Sequence, residues 1–157
     1  MALSAAFVAG GVLTFQPRLA RAAGVTQGEV MQLVGTQSAG AGSIDPRIGP
    51  LPQLKKPPLS SYNTYKLVDK KTVPVPTGTA VSYPLANGRT LQVTVVEATP
   101  DKRFRVLTTI TDASSHEYLK KLEVLAAPNE TFFVAGQNLD TKDASKGALI
   151  LGITIRS

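Results

Sequence analysis

The chain reads as an all-β protein: an antiparallel β-sandwich, Ig-like or similar, of seven or eight strands with a short N-terminal helical turn. Three observations predict it. From Tyr62 onward, short runs of β-branched and aromatic residues recur, each bounded by Pro, Gly, Asn or Asp. Several of these runs alternate apolar and polar residues with a period of two, which gives a strand one buried and one wet face. Long amphipathic helices, which a parallel sheet needs between its strands, are not visible. At 157 residues the length suits one domain, and 43% hydrophobic against 18% charged residues is enough to build a core.

Taken in order, residues 1–15 carry no charge and are too short to span a bilayer. Ala20-Arg21-Ala22 follows as a small-residue cleavage signature, so residues 1–22 are expected to be a secretory signal peptide. No Lys or Arg precedes Arg18, so the usual basic start is missing, and an ordinary apolar first strand or helix is the competing reading. Residues 23–60 are expected to hold an N-terminal strand at 29–34, a flexible Gly/Ala/Ser link at 36–43 and a proline-rich segment. Within that segment Asp45-Pro46 offers an N-cap followed by Pro at the first helical position, with Ile48, Leu51 and Leu54 spaced three apart. One or two helical turns fit there, because Gly49, Pro50 and Pro52 oppose anything longer.

Residues 61–157 are the expected sandwich core, with strands at 62–68, 79–85, 89–97, 104–111, 119–125, 131–135 and 149–156. Leu91, Val93 and Val95 oppose Thr90, Gln92 and Thr94. Phe104, Val106, Thr108 and Ile110 repeat the alternation, as do Leu149, Leu151, Ile153 and Ile155. Asn87-Gly88 predicts a two-residue type I′ hairpin turn, and Asp101-Lys102 a second reversal. Pro74 and Pro76 exclude a central strand there and indicate an edge or a connection.

The absence of Cys removes disulfides, thiolate chemistry and cysteine-ligated metals. Loss of Arg18 and Arg21 with the leader would leave 15 basic against 11 acidic residues, a balance of +4 instead of +6. Such modest, scattered basicity argues against nucleic acid as a partner. Arg103 and Arg105 share one strand face and Phe104 takes the other. The cluster Asp112, Ser114, Ser115, His116 and Glu117 holds triad-type residues, but consecutive positions between two strands read as a turn. Asn138, Asp140 and Asp143 resemble a calcium loop that fails at the Gly and at the twelfth position, Leu149. Asn129-Glu130-Thr131 is formally a glycosylation sequon. No phosphate-cradling Gly loop is present, and Tyr62 and Tyr65 are expected on opposite strand faces, which gives no sugar platform. These readings assign no catalytic, cofactor-binding or metal-ligating residue.

The segments at 44–48, 59–67, 85–89, 133–137 and 147–152 (IDPRI, LSSYNTYKL, LANGR, FVAGQ and GALILG) together resemble a group of small secreted β-domain proteins of Gram-negative bacteria. The resemblance spans roughly residues 30–156 and rests on turn and strand signatures. It implies fold and export and transfers no site residue. The expected function is therefore an exported, periplasmic or surface, non-catalytic binding or structural component of the cell envelope. Its partner is expected to be a protein, met by edge-strand addition with residues 29–34 as a candidate donor strand, the competing reading being that this strand pairs within its own domain, and no transmembrane span is expected. A subunit of a larger surface assembly docking through residues 51–60 is a related expectation. The rival is a small hydrolase or carbohydrate-active domain using strand-end carboxylates among Glu97, Asp101, Asp112, Glu117 and Glu123.

Overall fold

The C-terminal stretch ALILGITIR is apolar at nearly every position, so a strand built from it has two faces to bury. In the computed structural model, which describes residues 25–157, it is β8 (Ala148–Arg156) and every residue but Arg156 is buried. The other strands are β1 (Thr26–Thr36), β2 (Thr64–Val75), β3 (Val81–Pro84), β4 (Thr90–Ala98), β5 (Phe104–Thr111), β6 (Glu117–Ala126) and β7 (Thr131–Asn138). They form two antiparallel four-stranded sheets, β2-β1-β8-β7 and β3-β4-β5-β6, packed as a sandwich. The second sheet is a meander of consecutive strands, unlike the immunoglobulin order. The expected leader lies outside the described residues.

Between the sheets lies the main core. Val30 and Leu149, Leu151, Ile153 and Ile155 face Leu91, Val93, Val95, Phe104, Val106 and Ile110. The alternation read from β4, β5 and β8 is thus the one that fills it. Two polar residues enter this layer with partners. Gln32 donates to the Pro84 carbonyl and accepts from the Ala86 N–H, both at 2.9 Å, which ties β1 to the opposite sheet. The Tyr83 hydroxyl donates to the Gly28 carbonyl at 3.3 Å, and burial pushes its pKa up to about 12.

Three expectations are corrected. The sandwich takes in β1, well ahead of residue 61, so 23–60 is not a segment apart. Of the two readings of residues 29–34, pairing within the domain is the one found: β1 pairs along its length with both β2 and β8, which leaves no free edge to donate to a partner. The link at 36–43 is held to the start of β2: Ser38 N–H donates to Asn63 Oδ1 at 2.9 Å, and Asn63 Nδ2 donates back to the Ser38 carbonyl at 2.8 Å. β2 runs through Pro74 rather than ending at 68, and it is an edge strand, the position its prolines indicated.

The hairpin at Asn87-Gly88 joins β3 to β4 as expected, but its loop has three residues. Leu85 N–H donates to the Arg89 carbonyl at 2.8 Å and Gly88 N–H to the Leu85 carbonyl at 3.1 Å. Positive φ falls on Gly88 alone, at 80°. This is a type I turn closed by a left-handed residue, which also matches strand twist. Asn87 is the second central residue of that type I turn, a position with negative φ; its Oδ1 accepts from Arg89 N–H, while its Nδ2 reaches Gln137 and the Asn138 carbonyl. The same loop recurs at 99–103 with Lys102 at φ 63° and at 112–116 with Ser115 at φ 63°. Gly88→Val places a β-branched residue in the left-handed region and should destabilise the fold by about 1–2 kcal/mol, measured by urea unfolding. Unchanged stability would mean that the loop readily adopts another turn.

Candidate functional site

Sheet β2-β1-β8-β7 has a second face that the amino-acid pattern leaves apolar at Met31, Leu33 and Ile150. A strap formed by residues 44–61 covers it. The strap is built from three 3-10 turns, Pro46–Ile48, Pro52–Lys55 and Leu59–Ser61, which place Ile48, Leu54 and Leu59 on the sheet beside Tyr65. The three-residue spacing read in the sequence straddles two separate turns, since Ile48 ends the first, and Leu51 caps and Leu54 lies within the second. The face expected to be wet on β1 and β8 is therefore a second core.

Asp45 anchors the strap. Its carboxylate caps the first turn at Arg47 N–H (3.0 Å), pairs with the Arg47 guanidinium (2.6 Å) and accepts the edge N–H of Leu67 (3.3 Å). The Arg47 side chain, and then its backbone N–H, hold this carboxyl well below the usual range. Ser43 and Asp45 also bond the backbone of Tyr65, a short parallel bridge that closes this end of the β2 edge. Tyr62 and Tyr65 lie on one side, edge to face with ring centroids 6.3 Å apart, and not on opposite faces. The reason is that Tyr62 precedes β2 and follows the last strap turn. Gly35 makes room for them, since a Cβ there would come within 2.9 Å of Tyr62 and of Ile150.

On its outer side the strap bears an open, mostly apolar hollow of about 720 Å³, lined by Ile44, Pro46, Pro50, Leu51 and Pro52 with Asp45 and Lys55 at its rim. The sequence signal for it was the run of prolines, whose apolar rings line it and whose backbone brings no N–H donor to its surface.

The other candidates are placed as follows. Asp112 accepts the N–H groups of Ser114 (2.8 Å) and His116 (2.9 Å), the latter contributing most to its lowered pKa, and the His116 ring is solvent-exposed. The cluster is the hairpin loop expected of it. Asp140 binds Lys146 Nζ at 2.6 Å and Asp143 caps the turn Ala144–Lys146, so a lysine occupies the calcium-like loop. Among the described residues no three His, Asp or Glu groups converge. Arg105 is shared by Glu97 (3.2 Å) and Glu123 (3.3 Å), Asp101 takes the Thr99 hydroxyl and Arg103, and Glu117 opens β6 opposite Thr111. Asn129 is an exposed turn residue at φ 61°. Compared with protein families, curated proteins and solved structures, the chain matches none.

Asp45, Asp101, Asp112 and Asp140 all have lowered pKa values, caused first by Arg47, Thr99, the His116 N–H and Lys146 respectively. A folded-state pKa below the unfolded one adds stability that is present above about pH 4 and lost as pH falls through the folded value. The melting temperature should therefore drop on acidification below about pH 4, and Asp45→Asn should shrink that drop. A melting temperature that stays flat through this window would contradict the assignment.

Proposed function

We propose that the chain is an exported, non-catalytic β-sandwich that serves the cell envelope as a binding or structural component, in the periplasm or at the surface. The observation that carries the binding reading is the hollow on the strap. Ile44 is 40% exposed there although Ile48, Leu54 and Leu59 of the same strap are buried, so the strap has one apolar side against its own sheet and another toward solvent. A surface of this kind suits an apolar side chain of a protein partner. Lys55 at its rim favours a partner that is also acidic, since the one carboxylate there, Asp45, is already paired with Arg47. The strand-end carboxylates already hold turns and ion pairs, which supports binding over hydrolysis. Export is supported by the leader pattern, and no helix among the described residues is long and apolar enough to cross a membrane.

Three readouts test this reading. Intact mass of the protein recovered from envelope and secreted fractions of its host should show a start at Ala23, and an intact Met1 in the cytoplasmic fraction would overturn export. A photo-crosslinker at Pro50 should capture a partner that one at Ser82 does not, and Ile44→Glu should abolish the capture without altering the melting temperature. Hydrolytic activity lost on His116→Ala or Asp112→Asn would overturn the non-catalytic reading.

A further inference from the structure

An open sandwich has four edge strands, and three of them here resist addition of another strand. The edge of β2 is occupied. Tyr65 is bonded to Ser43 and Asp45, the N–H and carbonyl of Leu67 are taken by the Asp45 and Arg47 side chains, the N–H of Lys70 is taken by Asp69, and Pro74 has none. β3 is four residues long and ends in Pro84. β7 is broken by a register shift between Val134 and Gln137. β6 is ten residues long, and although its two irregularities, like that of β7, place extra residues on the edge strand itself, at Lys120–Lys121 and at Tyr118, it keeps the longer regular run, Leu122 to Ala126 paired with Thr108 to Phe104.

β6 also exposes apolar side chains. Leu122 sits opposite the buried Thr108, on the face that looks into the sandwich, yet it is 42% exposed, and Leu125 is 52% exposed. The core is thus incompletely closed along this edge.

We infer that β6 pairs antiparallel with β6 of a second copy of this chain, about a two-fold axis at Leu122. Charge selects the register. Centring on Lys120, Lys121 or Glu123 would set like charges against each other, and centring on Leu119 would carry the seam through both bulges, whereas centring on Leu122 sets Lys121 against Glu123 of the other copy, twice. Among the described residues Lys121 has no carboxylate partner, while Glu97 and Glu123 share the single cation of Arg105, so each copy carries the charge that the other lacks. Backbone direction agrees. Asp112 bonds across its loop to His116, and by alternation along β5 Thr108 faces β6, as does the Leu122 carbonyl that accepts from the Thr108 hydroxyl. Lys121 and Glu123 therefore turn their backbone groups outward, and Leu122 falls on a close, non-hydrogen-bonded pair at the axis. The two Leu122 side chains then cover each other. This pairing does not depend on export or on the strap hollow.

The chain has no cysteine, so Leu122→Cys in the protein as purified from its host gives a single thiol at the axis. A non-hydrogen-bonded pair has its Cα atoms about 4.5 Å apart, within disulfide range. Mild oxidation should yield a covalent dimer from Leu122→Cys and none from Ser82→Cys on the opposite edge. By sedimentation equilibrium, Lys121→Glu and Glu123→Lys should each raise the dimer dissociation constant about ten-fold or more, and the double swap should restore it. Both side chains are exposed, and unchanged melting temperatures show that the variants fold. A protein that stays monomeric at millimolar concentration, or a dimer indifferent to both reversals, overturns the inference. So does a Leu122→Cys cross-link formed only to a different polypeptide.

Discussion

The adjacent strands β1 and β8 are apolar on both faces, and the rest of the molecule is arranged around that constraint. A strand of this kind is stable only if something dry lies on each side of its sheet. One side is met by the meander β3-β4-β5-β6, whose inward Leu91, Val93, Val106 and Ile110 complete the main core. The other side is met by the strap, whose Ile48, Leu54 and Leu59 are separated in sequence by the turns that let them reach the same patch. Burying a side chain of this size contributes about 1.5–3 kcal/mol, so the three together are comparable with a large fraction of a domain's net stability.

The strap also links stability to the proposed binding surface. Covering the sheet requires a chain that turns three times in under twenty residues, and prolines set the backbone for it at little entropic cost. The same prolines leave backbone N–H groups out of the outer surface and place rings there instead, which makes the hollow apolar. Asp45 holds both functions together, since the carboxylate that caps the first turn also fills the edge of β2 and sits at the hollow's rim.

Much of the fold was legible because period-two alternation is a direct consequence of strand geometry. The runs containing Leu91, Phe104 and Leu149 needed no other information. What was not legible was tertiary. Gln32 breaks the apolar alternation of β1, and only the position of the Pro84 and Ala86 backbone explains it. Residues 36–43 have the composition of a linker, yet Asn63, which is distant in sequence, orders them. Asn87-Gly88 marks a hairpin reliably, but whether one or both residues take positive φ depends on the loop length, here three residues closed by the Leu85–Arg89 bond. For the candidate site, Asp45-Pro46 identified the strap's first turn. The hollow needed the fold, because it depends on which of the strap's apolar residues the sheet consumes.

The central claim is that the strap is a structural layer equal in standing to the two sheets. Native-state hydrogen exchange tests it most directly. The amides of Asp45 and Tyr65, which join strap to β2, should open with the same free energy and denaturant dependence as the amides of β1 and β8. A strap that opens at low free energy, while β1 and β8 remain protected to the global limit, would contradict the account.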